Sequence, residues 1–255
     1  VSDQRFGVRC EAIPSVIITH QVFPFTPMAQ SALRAFNRRR IERFDRCWIM
    51  DEPEAPGLAG ELSHGKGLPV SARYIGTLSR MTSTQSSKQR GAAHLAPKRS
   101  VMAVISGPEP QRTLFEEKVI AQLRNLPGEH LVVQGLPSKP MDRTEGNITI
   151  RSHMNADELG EAMRNAELIV SRSGYTTLMD LAALGRSGLI VPTPGQSEQE
   201  YLARLHGDTG RFIVHTQDAL DIAKALAAQQ RSHPARTNNA GLLERALEDL
   251  AALTH

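Results

Sequence analysis

The run Ser171-Arg172-Ser173-Gly174-Tyr175-Thr176-Thr177-Leu178-Met179-Asp180 places hydroxyls, a glycine and a cation directly after the apolar stretch Leu168-Ile169-Val170. A helix entered from such a run offers backbone N–H groups and a positive dipole end, which suit an anion. Ser173 or Thr176 could simply cap the helix. One side-chain acceptor is enough for a cap, however, and the polar stretch from Ser171 to Thr177 is longer than that, so an anion-cradling helix start is the preferred reading. Asp180, about one turn inward, can accept hydrogen bonds from vicinal hydroxyls such as those of a ribose. A solvated or ion-paired Asp180 is the alternative.

Two further loops have a similar character. Ser106-Gly107-Pro108-Glu109-Pro110-Gln111-Arg112-Thr113 turns from an apolar run into a helix-like one, a seat for a diphosphate to which Arg112 could add charge. Alone it is weak, because a Gly-Pro turn before a helix is commonly only a turn. In Pro192-Thr193-Pro194-Gly195-Gln196-Ser197-Glu198-Gln199-Glu200-Tyr201, the prolines stiffen a loop whose Gln196, Gln199 and Glu200 offer donors and acceptors suited to sugar hydroxyls. The bland reading is a capping box with Ser197 as cap and Glu200 at its third position, which would leave Gln199 unspent.

His20-Gln21-Val22-Phe23-Pro24 ends an earlier apolar run, and Leu62-Ser63-His64-Gly65 and Gly76-Thr77-Leu78-Ser79-Arg80 are polar turns downstream. A histidine at a strand end can serve as a base near neutral pH, and a hydrogen-bonded structural histidine is an equal reading of His20. No nucleophile, histidine and acid set has motif support, and neither G-x-G-x-x-G, Walker, H-E-x-x-H nor C-x-x-C spacing is present. No metal ligand and no cofactor is therefore expected.

The elements that must hold these loops follow from periodicity. Pro14 to Thr19 predicts a strand, Met28 to Phe44 a helix and Cys47 to Met50 a strand. After a featureless stretch, the alternation becomes regular. Strands are predicted at 101–106, 130–134, 148–151, 168–171, 188–191 and 211–215, with helices at 111–125, 156–165, 176–184, 198–206, 217–229 and 239–253. Short apolar strands joined by helices imply a parallel sheet covered on both faces, with ligands at the carboxyl ends of its strands. The predicted division is a first domain at 1–80, a linker at 81–98 and a second domain at 99–255. Val1-Ser2-Asp3 reads like the end of a buried strand, so the first domain is expected to be incomplete.

Composition narrows the class. With 40% hydrophobic and 22% charged residues, the chain is an ordinary globular protein rather than a disordered one. Apolar runs such as Ser15 to Thr19 are far shorter than the ~20 residues of a membrane-spanning helix. Cys10 and Cys47 are too few for a disulfide framework, which makes a cytoplasmic setting the default. Net charge is only +3, with no sign of a nucleic-acid partner. Arg34, Arg38, Arg39, Arg40, Arg43 and Arg46 nevertheless crowd one segment that could meet phosphates or the inner face of an anionic membrane, or could be a solvated helix face.

The succession Ser-Arg-Ser-Gly-x-x-Thr-x-x-Asp, strand, Pro-x-Pro-Gly-Gln-x-Glu-Gln-Glu-Tyr resembles the carboxy-terminal domain of family 28 glycosyltransferases, the family that includes the transfer of N-acetylglucosamine to lipid-linked muramyl-pentapeptide. Ser2 to Gly7, Leu62 to His64 and Ser106 to Arg112 are similar to uncharacterised bacterial glycosyltransferase-like proteins. The resemblance implies an α/β GT-B-like fold of two Rossmann-like parallel-sheet domains facing a cleft, and a metal-independent transfer from a UDP-sugar to a hydroxyl acceptor, lipid-linked or membrane-associated. It implies that Asp180 holds the ribose, although the family has Glu there. Gln199 and Glu200 stand at its paired glutamines, the second substitution leaving the sugar open. Ser171 to Thr176 and Ser106 to Arg112 match its nucleotide and phosphate loops, and His20-Gln21 falls in its cleft wall. Family members carry roughly a hundred further residues upstream of the position of Val1, including the expected base. A UDP-sugar 2-epimerase on the same fold and a non-catalytic donor-binding subunit are the rivals. An epimerase usually shows Ser-Gly-Gly-x-x-Glu-Glu at the helix start, from which Gly174-Tyr175-Thr176 departs.

Overall fold

The computed structural model describes residues 1–9, 12–24, 30–81, 98–138, 141–229 and 241–253. The chain divides into two compact units, Val1–Leu78 with Thr237–His255, and Ser79–Arg236. Residues 82–97 of the expected linker lie outside the described residues.

In the first unit, β1 (Ser2–Asp3), β2 (Val16–Thr19), β3 (Arg46–Ile49) and β4 (Ala72–Tyr74) form a parallel sheet in that order. Side chains alternate across a strand, so Ile17, Cys47 and Ile49 face one layer and Val16, Ile18 and Trp48 the other. Helix α1 (Gln30–Ile41) covers the first layer through Ile41, with Phe44, Val22 and Phe23 beside it. The second layer is covered by the C-terminal helix, whose Leu243, Ala246 and Leu250 pack on Val16, Trp48 and Ile75. The sequence reading assigned that helix to the second domain. The correction follows from this exposed apolar sheet face, which needs a partner that no local pattern names. Arg46 fastens the helix further through a paired hydrogen bond to Asp249, Nη2 to Oδ1 being 3.1 Å.

The loop after β3 wraps around one carboxylate. Asp51, wholly buried, accepts from the backbone N–H groups of Leu58 at 2.8 Å and Ala59 at 3.0 Å and from Ser63 Oγ at 2.6 Å. Gly57 sits so close, at φ +61°, that a Cβ there would lie 2.5 Å from both Asp51 oxygens.

The second unit contains β5 (Arg99–Val104), α2 (Gln111–Leu123), β6 (His130–Val133), β7 (Arg143–Glu145), β8 (Ile148–Arg151), α3 (Ala156–Asn165), β9 (Ala166–Ser171), α4 (Tyr175–Ala183), β10 (Leu189–Ile190), α5 (Ser197–Asp208), β11 (Ile213–Val214) and α6 (Ile222–Gln229). The last helix of the chain, in the first unit, is α7 (Leu242–Ala251). The sheet runs β11-β10-β9-β5-β6-β8-β7, all parallel except β7, which pairs antiparallel with β8. Both β4 and the edge strand β7 were absent from the sequence reading. They are short and only partly buried, so they carry little apolar signal. One face of the sheet packs on α2 and α6 through Phe115, Val119, Leu123, Ile222 and Ala225. Helix α6 begins at Ile222 rather than at Gln217, because Thr216 Oγ1 accepts from the Ala219 N–H and Asp221 Oδ1 from the Lys224 N–H, which keeps 216–221 a turn.

Candidate functional site

Chain order in the second sheet reverses beside β5: the connections run outward to β6 and β8, then return across β5 to β9 and continue to β10 and β11. Such a switch point opens a crevice at the carboxyl ends of the two central strands. The loops after β5 and β9 flank it, so Ser106-Gly107 and Ser171-Arg172-Ser173-Gly174 meet there because of sheet order, although more than sixty residues separate them. Thr193, after β10, joins them. Its Oγ1 would lie 3.8 Å from a Cβ on Gly107, which adopts φ +109°. The hydroxyls of Ser171 and Thr193 are both buried and have no hydrogen-bond partner among the described residues.

The helix starts around this crevice are not equivalent. Helix α3 is closed by a full capping box, Asn155 with Glu158. At α2, the Glu109 carboxylate already accepts the Thr113 N–H at 3.2 Å, so the chain's own acid occupies part of the predicted diphosphate seat. Helix α5 has two acids in its first turn, Glu198 and Glu200. Helices α2 and α4 both combine a first turn free of acids with an N-cap that makes no side-chain cap bond, and the Glu109 carboxylate just before α2 sets the two apart. The cap of α4 is Gly174, which corrects the alternative of Ser173 or Thr176 as caps. Ser173 Oγ instead donates to the Gln199 carbonyl at 2.9 Å. A Cβ on Gly174 would meet nothing within 4 Å. An anion placed there gains both dipole and N–H groups.

The two arginines proposed to meet an anion are placed differently. Arg112 is buried and reaches Glu116 at 3.2 Å and the Gln134 carbonyl at 2.9 Å, so its charge is balanced within α2. Arg172 is 1% exposed and points inward from the end of β9. It donates to the Gln111 carbonyl at 2.8 Å, the Pro192 carbonyl at 3.2 Å and Gln217 Oε1 at 2.6 Å, over the ring of Phe115 at 4.1 Å. Burial pushes its pKa down to about 10. Gln217, which also donates to Gln111 Oε1 at 2.9 Å, was missed in the sequence. Its position just past β11 was the available signal, hidden by its assignment to a helix.

Asp180 is buried on α4 and accepts from Ser79 Oγ at 2.7 Å. Burial raises its pKa above the usual carboxylate range, opposed by the Ser79 bond and the charge of Arg80. Gln199 and Glu200 turn inward on their own loop. Gln199 Oε1 accepts the Thr193 N–H at 2.9 Å, its Nε2 donates to Gln196 Oε1 at 2.5 Å, and Glu200 Oε1 accepts the Gly195 N–H at 2.9 Å. The cap of α5 is Gln196, not Ser197, and there is no side-chain cap bond. The expectation that capping leaves Gln199 unspent is thereby corrected, since closing this loop engages both ends of its amide. Thr176 lies exposed in the first turn of α4.

In the first unit, His20 is buried at the end of β2, with the Gln4 amide 3.1 Å from its Nδ1. Arg38 pairs with Glu42 at 2.6 Å, and Arg40 lies over Phe6 at 4.2 Å. Arg39 and Arg43 are exposed without an ion pair among the described residues, next to Phe36, which is 56% exposed. Among the described residues, no group of three or more His, Cys, Asp or Glu side chains is placed to hold a metal ion, and no helix is long and apolar enough to cross a membrane.

Comparison with known proteins adds three findings. A family model described as the glycosyltransferase family 28 C-terminal domain matches residues 103–248, more than half of the chain. The UDP-N-acetylglucosamine–N-acetylmuramyl-(pentapeptide) pyrophosphoryl-undecaprenol N-acetylglucosamine transferase of Pasteurella multocida is 27% identical over 128 residues, which is 49% of this chain and 36% of that enzyme. Its counterpart in Rhodopseudomonas palustris is 44% identical over 46 residues, 18% of this chain and 13% of that enzyme. Among solved structures, the glycosyltransferase SnogD from Streptomyces nogalater superposes with a TM-score of 0.55 at 15% identity, covering 95% of this chain and 63% of that one. Acinetobacter baumannii MurG does so at 0.50 and 13% identity, covering 94% and 67%. These superpositions establish a GT-B-like α/β fold. The matched stretches span about a third or less of the two curated relatives.

Proposed function

The chain belongs to the glycosyltransferase family 28 C-terminal domain family, and from that membership we propose that it carries the nucleotide-sugar-binding part of an enzyme that moves a hexose-type sugar from a UDP-sugar to a hydroxyl acceptor. The observation that carries this reading is the α4 start, with its open Gly174 cap, acid-free first turn and Asp180 on the same helix. The donor diphosphate lies against the N–H groups of α4, and Asp180 accepts the ribose hydroxyls. The loop braced by Gln199 and Glu200 receives the sugar.

As the acceptor oxygen bonds to the anomeric carbon, the bond to the diphosphate breaks and negative charge gathers on the leaving oxygen. N–H groups aimed at that oxygen stabilise it without a metal ion. The acceptor's proton passes to a base, for which His20 is the candidate within this chain, its ring oriented by the Gln4 amide.

The curated relatives are named for a pyrophosphoryl-undecaprenol acceptor. A lipid-linked acceptor here would be met by a chain resting on the inner membrane face, and Phe36 and Arg39 on α1, with Arg43 in the turn after it, give an apolar and cationic surface for that contact.

Calorimetry with UDP followed by product analysis tests the proposal. Free UDP with a glycosylated acceptor is expected. An altered UDP-sugar without UDP release would make the chain an epimerase. UDP binding without turnover, alone or with an acceptor-side partner, would make it a donor-binding subunit. No UDP binding at all would overturn the site.

A further inference from the structure

We propose that Arg172 and Gln217 are positioning residues for the donor diphosphate, and that the unbalanced charge of the buried guanidinium makes the site rank nucleoside ligands by their negative charge. This rests on the reading that the diphosphate lies at the start of α4.

Arg172 joins the loops at four strand ends. It follows β9 and binds Gln111, at the end of the loop after β5; Pro192, after β10; and Gln217, after β11. Every one of these acceptors is a neutral carbonyl oxygen. No Asp or Glu pairs with the guanidinium among the described residues, and its buried Nε has no acceptor there. Arg112, one helix away, shows the contrasting case of a buried arginine balanced by a carboxylate, Glu116. Removing a charge from water is costly unless another charge or a dense set of hydrogen bonds offsets it. Helix α4 begins three residues after Arg172, at Tyr175, so the chain carries the buried guanidinium and the positive end of the α4 dipole close together at the end of β9. An anion bound there is the missing counter-charge, acting through protein of low dielectric rather than by contact. Gln217 makes this arrangement possible, because its amide holds the guanidinium while leaving the charge intact.

The test is calorimetric affinity for UDP, UMP and uridine in wild type, Gln217→Glu, Arg172→Met and Arg172→Lys, with a melting temperature for each. Gln217→Glu keeps an acceptor on Arg172 but balances its charge. It is expected to weaken UDP by about tenfold and UMP by less, with uridine nearly unchanged and no loss of melting temperature. Arg172→Met should show the same order of losses, UDP most and uridine least, and Arg172→Lys should recover part of the lost UDP affinity. Equal weakening of all three ligands, or an unaltered charge ranking in Gln217→Glu, would overturn the inference. If Arg172→Met does not fold, Gln217→Glu decides. Wild-type protein that binds no UDP would instead sink the site itself.

Discussion

Ser79 donates its hydroxyl to Asp180 Oδ1 at 2.7 Å, joining the first residue of the second unit to the helix that begins at the switch-point crevice. That bond favours the ionised carboxyl, against a burial that favours the neutral one. The balance sets the pH at which Asp180 is ionised, and so the pH at which it can play its proposed role of accepting ribose hydroxyls.

Because the Asp180 pKa is raised, the carboxyl takes up its proton at a higher pH than an ordinary aspartate, and UDP affinity should fall as pH drops through that raised value. In Ser79→Ala, a bond to the charged form is lost, so the fall should begin at a still higher pH. Asp180→Ala should weaken UDP by ~1–3 kcal/mol and flatten the acid limb. Titration calorimetry across pH checks both, and an acid limb that persists in Asp180→Ala would assign it elsewhere.

Gly174 has a negative φ and open space where a Cβ would stand, so the fold itself does not require glycine there. Gly174→Val should therefore leave the melting temperature within a few degrees of wild type while reducing UDP affinity by about tenfold or more, because the side chain fills the anion's space. A stable variant with full affinity would move the ligand away from α4.

Gln199 shapes its loop through Thr193 and Gln196 rather than pointing away from it. Gln199→Ala should loosen that loop and cost ~1–3 kcal/mol in UDP-sugar binding, with a smaller loss for UDP, whose diphosphate the proposal seats at α4. Side-by-side calorimetry with the two ligands distinguishes this from a general loss of fold.

Asp51 supplies an acid-labile anchor in the first unit. Burial alone would raise its pKa, but His64, whose Nε2 lies 3.5 Å from Oδ2, and the bonds from Ser63 and the Leu58 and Ala59 amides outweigh it, so the folded value lies below the unfolded one. The sign follows directly. The folded state binds this proton less readily, so the stabilisation is fully present above the unfolded value of about 4 and is lost as pH falls toward the folded value. Melting temperature should decline below about pH 4, and Asp51→Asn should lower it at neutral pH by leaving buried donors unsatisfied. Gly57→Ala should destabilise by the same route, since its Cβ would collide with the carboxylate.

Most of the second sheet was legible in the sequence because it is built from local signals. Runs such as Leu168-Ile169-Val170 and Leu189-Ile190-Val191, with helical spacing between them, are set by the backbone's own periods of about two and 3.6 residues. The clustering of hydroxyls and glycine after β9 likewise marked the start of α4 before any contact was known. Tertiary structure alone decided which polar groups have partners. Arg172 reads from the sequence as a ligand-facing cation, yet it points inward because three loops from distant positions offer carbonyls there. Gln199 closes its own loop, Glu109 occupies the α2 start, and α7 returns to cover the face carrying Val16 and Trp48. Each of these outcomes depends on strand order and on which apolar face lacks a cover. Those are properties of segments brought together across the chain, and no local spacing encodes them.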